Sequence, residues 1–250
     1  MLRVPVRWLL APIAVAVLGC GSAATPAPEV PVGPDLGEIR YSCGQPPGFL
    51  PGLLDRPAIA ETENHPSAAA LRAAIVQGGQ DIDMLPESGY WLASRDERIA
   101  EYVAAEPPGA DPAFVSATFE NQGGGRWKLA GWGQCRPAIV LEGLSRTTWT
   151  LDPDVPAPAA DATTFTALVT ETECTSGQAM GARLLPPSIT YGEEEVLVVF
   201  AAQPQISKGF ATCPSNPPAR VVVELREPLG DRRLLDAGVF PPAEPVAPEF

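Results

Sequence analysis

Apolar and polar positions alternate, or run apolar over strand length, in seven segments between residues 90 and 226. These segments are rich in β-branched and aromatic residues, and turn residues separate them, which is typical of β-strands. They are Tyr90–Ser94, Arg98–Val103, Phe114–Glu120, Arg126–Trp132, Thr163–Thr172, Glu194–Ala202 and Arg220–Arg226. Gly123-Gly124-Gly125 lies between the third and fourth segments, where a hairpin loop requires positive φ angles. The chain is therefore predicted to be mostly β.

One helix is predicted before the first strand. Pro66 suits the first helical position, and His65 takes the non-helical place before it in a capping or surface role. Leu71 and Ile75 lie four residues apart on one face, and Gly78-Gly79 ends the run. We expect this alanine-rich helix to pack on a sheet.

These elements predict an α+β fold that is mostly β, with one helix on a small antiparallel sheet followed by a small all-β sandwich-like domain. Proline-rich segments mark the ends of the folded part, and Leu151–Pro158 is the clearest internal break. The predicted organisation is a signal peptide (1–19), a lipidated flexible tether (20–38), an α+β domain (39–150), an all-β domain (151–240) and a disordered tail (241–250).

The beginning of the chain has the pattern of an export signal. Arg3 and Arg7 precede the apolar run Trp8–Leu18, which is about half the length that crosses a bilayer. Val17-Leu18-Gly19-Cys20 resembles the lipobox of bacterial lipoproteins, and this resemblance implies a diacylglycerol on Cys20. The predicted location is the extracytoplasmic face of the cell membrane. The alternative is an ordinary secretory signal followed by a stray cysteine.

The formal charge of −13 excludes a polybasic footprint for nucleic acid or anionic lipid. Attachment to the membrane is therefore expected to rest on the lipid at Cys20. The sequence predicts no cofactor. It also predicts no metal site, because the chain has one histidine and no two of the cysteines after Cys20 are close enough for the Cys-x-x-Cys spacing of a zinc site.

Four cysteines remain after Cys20, and an even number in an exported protein predicts two disulfides. Of the three pairings, we favour Cys43–Cys135 with Cys174–Cys213, because these bridges close two consecutive regions without crossing between them.

Motifs for nucleophilic, metal-dependent or phosphate-binding chemistry are absent from the sequence. His65 would have to serve any serine nucleophile that depends on an imidazole. Paired carboxylates could serve glycoside hydrolysis. The local candidates are Asp81 with Asp83, Asp152 with Asp154, and Glu193-Glu194-Glu195.

Tryptophans give the remaining lead towards binding. Strict alternation puts Trp127 and Leu129 on one face of their strand and Trp132 on the other. Trp132, together with Trp127, is therefore a candidate for stacking on a sugar or peptide. The alternative is that all these rings pack internally, with Trp132 shielding a disulfide at Cys135.

Four further strings resemble those of a group of exported proteins from high-GC bacteria. They are Gly131–Pro137, Trp149–Pro153, Cys213–Pro218 and Glu227–Asp236. The resemblance implies structural roles for Cys135 and Cys213 and implies no activity.

Three functions remain open at this point. The first is a non-catalytic binding or accessory module of the cell envelope, with an envelope protein or cell-wall glycan as partner. The second is a hydrolase of cell-wall or exported glycan that uses two distant carboxylates. The third is a structural lipoprotein without a specific ligand.

Overall fold

Strands, mostly antiparallel, are the main regular secondary structure of the computed structural model, which describes residues 33, 36–44, 47–77, 85–106, 114–205 and 212–245. One α-helix, α1, spans Pro66–Gln77. The strands of the described residues are β1 (Tyr41–Ser42), β2 (Tyr90–Arg95), β3 (Ile99–Ala105), β4 (Phe114–Asn121), β5 (Trp127–Cys135), β6 (Ala138–Ile139), β7 (Ser145–Leu151), β8 (Thr164–Glu171), β9 (Ser188–Tyr191), β10 (Glu195–Val199), β11 (Ala201–Ala202), β12 (Ala219–Glu224) and β13 (Arg233–Asp236). The predicted β-rich α+β class is confirmed.

The first sheet has the order β2-β3-β4-β5, and each neighbouring pair is antiparallel. Helix α1 covers one face of this sheet, where the fully buried Leu71 packs with Tyr102, Val115 and Phe119. Alanines on the buried side of the helix, such as Ala68, let its backbone approach the sheet closely. This arrangement was predicted, and it brings the first turn of α1 next to the sheet.

Two further sheets enclose a second core. One has the order β11-β7-β8-β12, and the other has the order β13-β10-β9. Their apolar faces meet in a cluster that includes Trp149 and Phe165 from the first of these sheets and Val196 and Val198 from the other. This is the sandwich-like arrangement expected of residues 151–240, although β7 begins before that range.

A third cluster contains residues from both predicted domains. Tyr41, Val103 and Ile139 lie in it together with Val199 and Ala237. In addition, the boundary predicted at residue 150 falls within β7, whose partner is β8. Residues 31–250 form one compact unit. Since this unit holds both disulfides and all three clusters, we expect it to fold without residues 1–30.

Three segments differ locally from the predictions. Asp231–Gly238, which lies outside the seven predicted strand segments, contains β13, which pairs in parallel with β10. In the predicted disordered tail, Ala243 pairs with Asp236 through two backbone hydrogen bonds of 2.7 and 3.2 Å. The end of the predicted tether also packs, because Leu36 contacts the third cluster. These pairings and contacts involve only a few residues each, and sequence periodicity does not detect elements that short.

Candidate functional site

The described cysteines form the two predicted disulfides. Cys43 is bonded to Cys135, which ties β1 to the end of β5, and Cys174 is bonded to Cys213. These four thiols therefore serve as covalent links and are not free nucleophiles. Cys20, the predicted lipidation residue, lies outside the described residues.

Trp127 and Trp132 lie on the same face of β5, contrary to the prediction from strict alternation. Phe119 pairs with Leu129, whereas Thr118 pairs with Gly131, so the residue between them has no partner on β4. This β-bulge shifts the alternation by one position and turns Trp132 towards the helix side. Both tryptophans are partly buried against the core beneath α1. Trp132 is therefore packed on the α1 side and is not the exposed platform predicted on the opposite face.

An open cleft of about 660 Å³ lies where the N-terminus of α1 meets the hairpin ends of the first sheet. The helix start, the β2–β3 turn and the β4–β5 hairpin contribute its walls. Its lining residues are His65, Pro66, Arg95, Asp96, Glu97, Asn121, Gly125 and Trp127. We call this the His65 cleft. Of the two predicted stacking residues, it contains Trp127 and not Trp132.

His65 caps helix α1. Its Nδ1 accepts the backbone N–H of Ser67 at 3.1 Å, which satisfies one of the unpaired donors of the first turn. The same nitrogen lies 2.7 Å from the hydroxyl of Ser67, which in turn lies 2.6 Å from the hydroxyl of Tyr102. The imidazole also contacts Trp127 edge-on, with ring centroids 5.8 Å apart. The predicted capping role of His65 is confirmed.

Ser67 and His65 resemble a nucleophile and its base in distance alone. Ser67 is completely buried, and its oxygen is held between His65 and Tyr102. A nucleophile has to reach the substrate, and this hydroxyl does not open to the cleft. The pair is therefore a structural arrangement that fixes the imidazole.

Charged groups at the β2–β3 turn complete the cleft. Arg95 forms an ion pair of 2.8 Å with Glu63, and it also lies against the Tyr102 hydroxyl. Asp96 accepts the backbone N–H groups of Ile99 and Arg98 at 2.7 and 2.6 Å. These two hydrogen bonds hold the pKa of the Asp96 carboxyl below its usual range, so it is a carboxylate at neutral pH.

Asn121 joins the two hairpins that form the rim of the cleft. Its amide donates to the carbonyl of Glu97 at 2.8 Å and accepts the N–H of Gly123 at 2.9 Å. Arg95-Asp96-Glu97 and Asn121 lie between predicted strands, and the sequence pattern marks none of them as a site residue. The sequence signal for this site would have been the two polar turns, one between β2 and β3 and one between β4 and β5. In an antiparallel sheet with this strand order, both turns lie at the same end of the sheet.

The predicted carboxylate pairs that lie in the described part of the chain do not line this cleft. Asp81 and Asp83 lie outside the described residues. Asp152 and Asp154 both face Arg220, at 2.7 and 3.3 Å, which makes them a structural ion-pair group.

The glutamate run lies elsewhere as well. Glu193 and Glu194 line a separate open depression beside Arg232 and Arg233. The third glutamate, Glu195, lies 3.8 Å from Arg233 in the parallel pair of β10 and β13. None of the three lines the His65 cleft.

Two carboxyls have raised pKa values, and both are buried away from the cleft. Burial raises the pKa of Glu101 to about 7, partly offset by hydrogen bonds from Ser42 and the backbone of Cys43. Burial raises the pKa of Asp236 to about 6, partly offset by the N–H of Gly238. A glycosidase acid needs such a pKa beside the substrate. In the described part of the chain, these groups do not line the cleft.

The described residues hold no group of three metal-ligating side chains. No helix among them has the length and apolar character needed to span a membrane. Comparisons of the chain with protein-family models, with curated proteins and with solved structures found no match.

Proposed function

We propose that this protein is a non-catalytic binding module of the cell envelope that uses the His65 cleft to hold a glycan. A lipid on Cys20 would attach it to the extracytoplasmic face of the membrane. The carrying observation is the convergence of the Trp127 ring, the His65 imidazole and the Arg95 guanidinium in one open cleft. A ligand site combines apolar surface with a few placed polar groups, which is what these side chains offer.

The polar groups of the cleft match the chemistry of a sugar. A saccharide ring has an apolar C–H face that packs on an aromatic ring, and its hydroxyls both donate and accept hydrogen bonds. Trp127 supplies the ring, and Asp96 and Glu97 supply carboxylate acceptors. Arg95 and His65 supply donors. A purely apolar or purely cationic partner would leave part of this set unpaired, which costs binding free energy.

Binding without catalysis is favoured by what the charged groups do. Asp96 accepts two backbone N–H groups at Oδ1, and its low pKa makes it a poor proton donor. The carboxyls with raised pKa, Glu101 and Asp236, are buried and do not line the cleft. The hydrolase alternative therefore has no support among the described residues.

The lipid anchor is proposed from the sequence, and the disulfides are consistent with it. Two cysteine bridges are typical of an oxidising compartment outside the cytoplasm. Cys20→Ala in the full chain should abolish lipidation and release the protein from membranes into the aqueous fraction. If this variant partitions into membranes as the unchanged chain does, the proposed anchor is wrong.

The binding proposal is tested by pull-down with residues 31–250. The purified protein is incubated separately with insoluble wall glycan and with detergent-solubilised envelope proteins. We expect retention on the glycan, and Trp127→Leu should reduce the retained amount at least tenfold. Lys128→Ala, on the exposed opposite face of the same strand, is the matched control and should bind as the unchanged protein does.

The other outcomes are also informative. Selective retention of one envelope protein would replace the glycan by a protein partner and make this chain an accessory subunit. Equal binding by Trp127→Leu and the unchanged protein would exclude the cleft as the glycan site. If neither fraction retained the protein, the structural alternative without a ligand would take precedence.

A further inference from the structure

A hydrogen-bonded chain runs beneath the His65 cleft and joins two of its lining residues. Arg95 lies against the hydroxyl of Tyr102, which is 2.6 Å from Ser67 Oγ, and Ser67 Oγ is 2.7 Å from His65 Nδ1. Tyr102 and Ser67 are completely buried, whereas Arg95 and His65 face the cleft. The two ends of the chain therefore meet the same ligand space.

The groups at both ends favour one direction of donation along this chain. A guanidinium has donors and no acceptor, so the Tyr102 oxygen accepts from Arg95 and its own proton is available to Ser67. At the other end, the backbone N–H of Ser67 points at His65 Nδ1 at 3.1 Å. If Nδ1 carried a proton, that proton and the Ser67 N–H would point at each other and repel, so Nδ1 is expected to be unprotonated. The proton between Ser67 Oγ and Nδ1 therefore belongs to the serine hydroxyl.

The tautomer of His65 follows from this order. Since Nδ1 is the acceptor, the proton of the neutral imidazole must lie on Nε2. The described structure gives Nε2 no hydrogen-bond partner, and the imidazole lines the cleft. The edge contact with Trp127 and the two donors at Nδ1 limit rotation of the ring. The outward nitrogen is thus a donor in a fixed position.

We infer that His65 is a specificity-determining residue of the cleft, held by Ser67, Tyr102 and Arg95 as a permanent Nε2–H donor to an acceptor oxygen of the ligand. The inference rests on the proposed function for the identity of that ligand as a glycan. The donor selects saccharides that place a hydroxyl or amide oxygen in front of His65 while an apolar ring face lies towards Trp127. A ligand that offered only a donor there would face the N–H and be rejected.

The tautomer is measured first, without any ligand. The chain contains one histidine, so a long-range ¹H–¹⁵N spectrum of untagged residues 31–250 at pH 8 shows a single imidazole. We expect Nε2 to have the shift of a protonated ring nitrogen and Nδ1 that of an unprotonated one. The reverse assignment, or rapid averaging of the two, overturns the inference. Ser67→Ala removes one of the two donors and should increase the population of the other tautomer.

The donor role is measured second, by titrating the same protein with soluble wall-glycan fragments released by a muramidase. His65→Asn retains a good helix cap but cannot reach into the cleft with an N–H. We expect its affinity to fall about tenfold while its melting temperature stays within about 2 °C. Unchanged affinity in this variant overturns the donor role.

The two measurements separate this inference from the proposed function. If the unchanged protein has the expected tautomer but binds no fragment, the proposed glycan binding is wrong. The role of His65 as a donor to a glycan is then wrong as well. If it binds fragments but His65 has the other tautomer, the proposed function stands and only the present inference is overturned. A chemical-shift change at Nε2 on titration, with none at Nδ1, supports both.

Discussion

The Ser42 hydroxyl donates a hydrogen bond of 3.3 Å to one oxygen of the Glu101 carboxyl, and the other oxygen of Glu101 has no hydrogen-bond partner among the described residues. Glu101 lies in the middle of β3 on the face opposite α1, and it is only 1% exposed. Ser42 lies on β1, beside the Cys43–Cys135 bridge. A buried carboxyl with an unsatisfied oxygen favours its protonated form, because charging it there costs desolvation free energy.

Glu101 should make stability depend on pH. Its pKa rises from 4.5 to about 7 on folding, so the native state binds the proton more tightly than the unfolded state. The stabilisation is complete below pH 4.5 and is lost as the pH rises through 7. Glu101→Gln should therefore raise the free energy of unfolding at pH 8, by up to about 3 kcal/mol, and should have little effect at pH 4.

The measurement is urea unfolding of both proteins between pH 4 and 8. Burial raises the pKa of Asp236 to about 6, so this residue also makes stability fall as the pH rises, over a lower pH range than Glu101 does. In Glu101→Gln, the free energy of unfolding should therefore still fall with pH, but less steeply. A variant that loses stability at pH 8 would mean that the carboxylate form of Glu101 is the favoured one.

Arg183 should contribute far more to the free energy of unfolding than Arg146, an exposed arginine on β7. Its guanidinium forms two hydrogen bonds, of 2.9 and 2.6 Å, with the fully buried carboxylate of Glu171. Arg183→Met leaves that charge buried without a partner and should cost about 3–5 kcal/mol. Arg146→Met is the matched control, because its pair with Glu173 is 3.6 Å long and exposed, and it should cost less than about 1 kcal/mol. Equal losses in denaturant unfolding would refute the distinction.

Removing the cap of α1 should destabilise the helix start. His65→Ala deletes the acceptor for the Ser67 N–H and should cost about 1 kcal/mol of unfolding free energy. His65→Asn supplies an alternative cap and should recover most of that loss. Thermal melting of the three proteins checks the order, and a His65→Asn protein as unstable as His65→Ala would contradict the capping role.

The bulge in β5 gives a prediction about a deletion. Ala130 is the extra residue between the pairs Phe119–Leu129 and Thr118–Gly131. Its removal leaves the partners on either side in place, so Trp132 should stay on the α1 side with a change of less than about 1 kcal/mol. Deleting Lys128 instead forces Leu129 off the core face and should cost about 2–3 kcal/mol. Tryptophan fluorescence and unfolding midpoints distinguish the two deletions.

The sequence predicted β2, β3, β4, β5, β8, β10 and β12 within a few residues, because period-2 patterning is a local property. It missed β7 and β9, in which apolar positions are diluted by threonine and serine. It also missed Arg95 and Asn121 as members of a site. Both lie in turns, and no pattern within either turn shows that the two turns share a cleft with His65.

The sequence by itself determined the β-rich α+β class and the start of α1 at Pro66. Local periodicity and helix-start chemistry carry that information along the chain. Of the three disulfide pairings it favoured the one that the structure shows, Cys43 with Cys135 and Cys174 with Cys213. The tertiary structure alone decided the face of Trp132, the burial of Glu101 and the contacts that join Tyr102, Ser67 and His65. Each of these depends on the register between elements far apart in sequence, where a shift of one residue reverses which side chains face each other.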